Sequence, residues 1–320
     1  MSEGATGSRE PPQPGLLDPT DLARLASLEL RARTIVEGAF SGIHRNLHPG
    51  TSVEFTEHRE YAPGDEIRRI DWKAVGRADR YYVKRFEDET EMHTFLVLDA
   101  SASMGYRRRG VSKLDYASYL AGALAYLVGQ QGDAAGLLLF DENARSFLPP
   151  STRPGQIREV FRLLEAAQPA GRTDAALALG HLGEQIDKRS LIIFMSDLLD
   201  CEPDEPGGGE ARGPLPGRLR QLRARGHDVA LFHLLDPDEV ELPFDDLIFF
   251  EGMEPGDTRT LLAQAPDLAE AFGRESEAFR DRWRAACLEA SVEYRFARTD
   301  AAPAEVLRAF LADRQRAVRF

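Results

Sequence analysis

The sequence predicts an α/β fold of Rossmann-like type: a mostly parallel sheet with helices on both faces and a small β-rich element ahead of it. Two observations lead there. Short runs of almost purely apolar residues, at 95–98, 135–140 and 191–195, have the hydrophobicity of strands buried on both faces. Between them lie longer stretches whose apolar residues recur at helical spacing, and this alternation marks a parallel sheet with helical crossovers.

The elements follow in order. Residues 1–17 are rich in Gly, Ser, Glu and Pro and read as a flexible tail. Asp18-Pro19 is an N-cap followed by proline at the first helical position. Leu22, Leu25, Ala32, Ile35, Val36 and Ala39 then continue one amphipathic helix to about Gly38. Between 42 and 91 the pattern turns β-like: 51–56 and 81–86 alternate as strands, with Pro63-Gly64-Asp65 as a turn signal. Segment 18–92 therefore combines this helix with a β-rich element, and the main domain is 93–320. Its strands are expected at 95–98, 135–140, 146–148 (a short edge strand), 191–195, 228–235, 247–250 and 293–297. Its helices are expected at 113–129, 155–166, 174–185, 216–225, 266–290 and 303–314. Residues 203–217, with three consecutive glycines, form a surface loop. Phe272, Phe279 and Trp283 on helix 266–290 serve either the core or an interface, the core being the better reading.

Composition narrows the function. The 320 residues carry a formal net charge of −13, which argues against a global basic face for nucleic acid and leaves room only for a local patch. No apolar run approaches the ~18 residues of a membrane span, and residues 1–10 lack the basic-then-apolar order of a secretory signal. The two cysteines, Cys201 and Cys287, lie far apart and outside any metal-type spacing. A cytoplasmic location is the expectation. His44 and His48 are four apart but have no third ligand, so surface placement is expected rather than zinc.

Ligands of open α/β sheets sit at the carboxyl ends of the strands, and three polar groups fall there. Asp99-Ala-Ser101-Ala-Ser103-Met-Gly follows strand 95–98 directly. Gly171-Arg-Thr173-Asp174 leads into a helix. Ser196-Asp197 follows strand 191–195. Taken singly, each has a plain structural role: Asp99 or Thr173-Asp174 as helix caps, Asp197 as a turn residue. Taken together they offer oxygen ligands only, which suits a hard cation such as Mg²⁺, or Mn²⁺ in its place. Ser101, Ser103 and Thr173 would bind directly, while Asp99 and Asp197 hold waters. Few anionic ligands keep such an ion electrophilic, able to accept a carboxylate from outside.

The run Val97-Leu98-Asp99-Ala100-Ser101-Ala102-Ser103-Met104 resembles the metal-ion-dependent adhesion site of von Willebrand factor A domains, whose first motif is Asp-x-Ser-x-Ser. Thr173 matches that family's threonine and Asp197 its later aspartate. The resemblance implies a von Willebrand factor A-like fold and a divalent-metal site at Asp99, Ser101, Ser103, Thr173 and Asp197. Upstream, Arg59-Glu-Tyr-Ala-Pro-Gly-Asp65-Glu-Ile-Arg68-Arg-Ile-Asp71-Trp72-Lys and Lys84-Arg85-Phe86-Glu87 are similar to the signature of the domain-of-unknown-function family fifty-eight. Members of that family resemble proteins that work beside MoxR-type AAA+ ATPases, and many carry amino-terminal membrane helices, which this sequence does not show.

The same upstream segment is locally basic: Arg68, Arg69, Lys73, Arg77, Arg80, Lys84 and Arg85 stand against Glu66, Asp71 and Asp79. Arg68 and Asp71 are read as an internal pair, and Trp72 as a packing residue. Arg77 and Arg80, with Arg107, Arg108 and Arg109 beyond the candidate metal loop, are candidates for steering an acidic partner.

Three functions compete, with nucleic-acid binding, resting only on the Arg-rich segment, a distant fourth. The leading one is a non-enzymatic, metal-dependent protein-binding module whose ion is completed by a partner's Asp or Glu, acting with a MoxR-type AAA+ ATPase in complex assembly or maturation. The second is a phosphohydrolase-like enzyme using Asp99; but the general acid expected two residues on is replaced by Ser101, and no nucleophile elbow, Walker A loop or His-based triad is present. The third is a scaffold with a vacant metal site.

Overall fold

The computed structural model describes residues 17–41, 58–60, 82–84, 93–199, 201, 215–244, 247–253, 255–256, 258 and 260–317. The chain divides into two compact units, 43–91 and the remainder. In the former, β1 (His58–Glu60) pairs antiparallel with β2 (Tyr82–Lys84), with Arg59 opposite Val83. The strand expected at 51–56, the turn at Pro63-Gly64-Asp65, and His44, His48, Trp72, Arg77 and Arg80 lie outside the described residues.

The larger unit is built on a six-stranded sheet in the order β10-β7-β6-β3-β4-β5. These strands are β3 (His93–Asp99), β4 (Ala134–Phe140), β5 (Ala144–Ser151), β6 (Ser190–Ser196), β7 (Asp228–Leu235) and β10 (Glu293–Arg298). All neighbours pair in parallel except β5, which runs antiparallel to β4 along one edge. That edge is where Pro149 and Pro150 are tolerated, since proline cannot donate to a ladder on both sides. The mostly parallel α/β architecture expected from the sequence is thus present.

Helices cover both faces. One face carries α2 (Leu28–Ser41), α3 (Lys113–Gln130), α4 (Gln156–Ala166) and α9 (Pro303–Ala317). The other carries α5 (Ala175–Gln185), α6 (Leu215–Ala224) and α8 (Ala265–Glu289). Strand β3 shows why a parallel strand must be apolar throughout: Leu96 and Leu98 enter the first core, Phe95 and Val97 the second. Each such side chain contributes roughly 1.5–3 kcal/mol on full burial. Trp283 of α8 is fully buried in the second core, the core reading of that helix.

The structure departs from the sequence reading in four places. The amino-terminal helix is two helices, α1 (Pro19–Ala23) and α2, because Asp18 caps the first turn and Ser27 starts a second helix. Both belong to the larger unit, and Leu28, Ala32, Ile35 and Ala39 enter its first core. A short α7 (Asp238–Glu241) follows β7. The run 247–250 does not join the main sheet; β8 (Leu247–Glu251) forms a separate antiparallel hairpin with β9 (Thr260–Gln264). Among the described residues, no helix is long and apolar enough to cross a membrane.

Candidate metal centre

The sheet order places β3 between β4 and β6, so successive crossovers leave β3 in opposite directions. This is the topological switch point, where the loops after two adjacent strands part and open a crevice. Asp99 ends β3, and Ser196 and Asp197 end β6. Two of the three polar groups singled out from the sequence therefore meet by topology alone.

The third is brought in by backbone bonds. Ala102 N donates to Gly171 O at 3.0 Å and Ala170 N to Ala100 O at 3.0 Å, tying the 168–174 loop to the loop after β3. Gly171 adopts φ +77°, and a Cβ there would stand 2.7 Å from Asp141 Oδ2, so only glycine fits this turn. Thr173 Oγ1 consequently donates to Asp99 Oδ2 at 3.2 Å. Its neighbour Asp174 faces the other way and caps α5, accepting from Leu177 N at 2.9 Å.

Asp99 is the hub, with no exposed surface. Its Oδ1 accepts from Ser101 N at 2.9 Å, and its Oδ2 accepts from Ser196 Oγ at 2.7 Å as well as from Thr173. Burial, followed by repulsion from Asp197, pushes its pKa up to about 6, against the pull of the Ser196 and Ser101 bonds. Ser101 Oγ and Ser103 Oγ lie 3.2 Å apart. Adjacent corners of an octahedron with Mg–O bonds near 2.1 Å are about 3.0 Å apart, so the two hydroxyls fit neighbouring positions around such an ion. Among the described residues, no group of three His, Cys, Asp or Glu side chains is gathered to hold a metal. The donor set here is hydroxyl-rich instead, the chemistry of a hard cation.

Asp197 is also fully buried, but its surroundings are ones the sequence did not reveal. Its Oδ1 accepts from Leu199 N at 3.2 Å, while Oδ2 receives the Lys113 ammonium at 2.7 Å. Burial alone would raise the Asp197 pKa; Lys113, together with the hydrogen bonds from Ser103 and Leu199 N, outweighs it and holds the carboxyl below its usual range. Lys113, the first residue of α3 and itself wholly buried, also donates to Glu239 Oε1 of α7 at 2.5 Å. Leu198, between Asp197 and Leu199, is held at φ +60°, a left-handed conformation that a branched side chain adopts only under constraint. Its fully buried side chain and the bond from Leu198 N to Ser196 Oγ at 3.0 Å supply that constraint.

Arg107, Arg108 and Arg109 are exposed along the loop beyond the 3-10 turn Ala102–Gly105. Arg108 is engaged within the chain: it stacks 4.2 Å over the Phe244 ring, donates to Pro243 O at 3.2 Å and pairs with Asp238 at 3.4 Å. Residues 57–282 match the family described as "Protein of unknown function DUF58". The chain belongs to the DUF58 family. This DUF58 protein is 31% identical over 268 residues to Uncharacterized protein Rv1480 of Mycobacterium tuberculosis, covering 82% of this chain and 80% of that one. The same figures hold for Uncharacterized protein Mb1516 of Mycobacterium bovis. Among solved structures, its fold is similar to the conserved hypothetical protein BatB from Bacteroides thetaiotaomicron, at 14% identity and a TM-score of 0.44, covering 69% of this chain and 98% of that one. It is similar also to an aerotolerance-related membrane protein from Bacteroides fragilis, at 16% identity and a TM-score of 0.44, covering 69% and 97%.

Sequence reasoning missed Ser196 as a partner of Asp99, and missed Lys113 and Glu239 altogether. Ser196 had a signal, since it stands at a strand end beside a chosen aspartate. Lys113 had none: a lysine after a helix-capping serine reads as solvent-exposed, and its burial depends on an acidic partner 126 residues away.

Proposed function

We propose that this DUF58 protein is a divalent-metal-dependent protein-binding module of von Willebrand factor A-like type. Ser101, Ser103 and Thr173 would hold Mg²⁺ or Mn²⁺ through their hydroxyls, with Asp99 and Asp197 behind them. When bound, the ion supplies an electrophilic corner for an Asp or Glu carboxylate of the partner. One observation carries this reading: Asp99, Ser101, Ser103 and Thr173, spread over 75 positions, are joined by hydrogen bonds at the switch point of the sheet. The resemblance drawn from the upstream signature makes a MoxR-type AAA+ ATPase the partner to test first.

The hydrolase alternative gains nothing from the site. Both oxygens of Asp99 accept hydrogen bonds and the residue has no exposed surface, so the carboxylate offers a substrate no open line of attack. The test is capture of a partner by the immobilised chain in Mg²⁺ and in chelator, with S101A/S103A alongside. The reading predicts capture that chelator and the double substitution both abolish. Capture indifferent to both would overturn it, as would metal-dependent phosphate-ester turnover by the wild-type chain.

A further inference from the structure

Resting on the metal-binding reading above, we propose that Lys113 is a tethered counter-cation that competes with the metal for Asp197 and thereby sets the site's affinity. The ammonium is wholly buried and lies 2.7 Å from Asp197 Oδ2, on the very carboxylate that the site would use to hold a metal-bound water. Asp197 Oδ1 is already engaged by Leu199 N, so the lysine takes the remaining oxygen. The charged groups facing the ammonium are Asp197 from the end of β6 and Glu239 from α7, and the Tyr106 ring lies 6.0 Å away.

Glu239 gives Lys113 a second position. Its Oε1 accepts from the lysine, while its Oε2 accepts from Asp236 N at 2.8 Å, which fixes the carboxylate beside the rim. A lysine released from Asp197 by an incoming ion therefore keeps one half-buried carboxylate partner and is not stranded, an outcome that would cost far more than either paired state. The exchange makes the bound ion answer to an internal rival of the same sign. Such a site binds its metal weakly when alone and holds it best when a partner's carboxylate adds its own charge, which couples metal capture to partner capture.

The test is Mn²⁺ titration followed by electron paramagnetic resonance, on wild type, K113M/E239Q and E239Q. The double variant loses one positive and one negative charge, so the formal charge of the site is unchanged while the hold on Asp197 is removed, and E239Q alone reports the effect of the lost carboxylate. The double variant also avoids leaving the half-buried Glu239 carboxylate without its cation, which guards against loss of the fold. K113M/E239Q is expected to bind Mn²⁺ about tenfold tighter than wild type, because the gain from freeing Asp197 of its counter-cation is partly offset by loss of the nearby Glu239 charge. E239Q, which keeps the lysine on Asp197, is expected to bind no tighter than wild type. Equal or weaker binding by the double variant, or tightening by E239Q alone of the same size, would overturn the role of Lys113 while leaving the metal site standing. Failure of wild type and both variants to bind Mn²⁺ would remove the metal reading, and this inference with it.

Discussion

Replacing Asp99 with Asn should stabilise the metal-free protein at neutral pH while abolishing its response to metal. Burial, then the charge of Asp197, raises the Asp99 pKa from 3.8 to about 6. The folded chain thus binds this proton more tightly than the unfolded chain does. The contribution of Asp99 to stability is complete below 3.8 and is lost as pH rises through about 6. At pH 7.5 the ionised carboxylate then costs on the order of 3 kcal/mol. Asparagine keeps the shape: its oxygen can accept from Ser101 N, and its amide can donate to Ser196 Oγ and Thr173 Oγ1, whose hydroxyl hydrogens are free to turn. Urea denaturation in chelator at pH 7.5 and pH 4 measures the effect. D99N is expected to be more stable than wild type by up to about 3 kcal/mol at pH 7.5, with the difference shrinking towards zero by pH 4. Adding Mg²⁺ should raise the stability of wild type alone. A D99N protein that is destabilised equally at both pH values would refute the account of this carboxylate.

Other substitutions test the surroundings. K113M alone should destabilise the metal-free chain by roughly 3–5 kcal/mol, because it leaves the buried Asp197 and the half-buried Glu239 without their cation; K113M/E239Q should recover part of that loss in the same denaturation assay. G171A should cost at least about 1–2 kcal/mol from its left-handed backbone and its approach to Asp141, and should weaken Mg²⁺ binding by calorimetry, since the loop it distorts carries Thr173. R108A should cost about 1 kcal/mol from loss of stacking on Phe244, visible in thermal denaturation and unaccompanied by any change in metal affinity.

The fold was legible where the chain obeys one dominant rule. Strands β3, β4 and β6 are apolar on both faces, and nothing but a doubly covered sheet accommodates that pattern. The hairpin β8–β9 was half read, because Phe249 and Leu262 oppose one another on an exposed surface and periodicity alone does not tell such a strand from one in the core. The break between α1 and α2 was missed because Leu22, Leu25 and Ala32 keep helical spacing across it, while the capping residues that end one helix and start the next are local and weak. For the candidate site, Asp99, Ser101, Ser103 and Thr173 were readable from their places at strand ends and helix starts. Lys113 was not, because a buried lysine is defined by carboxylates distant in sequence, and no spacing rule brings Asp197 and Glu239 to the first turn of α3.

The most direct measurement is anomalous diffraction from crystals soaked in Mn²⁺. The account predicts one peak at the carboxyl ends of β3 and β6, within bonding distance of the Ser101, Ser103 and Thr173 hydroxyls. Well-ordered density for those three side chains, with no peak among them at millimolar Mn²⁺, would contradict it.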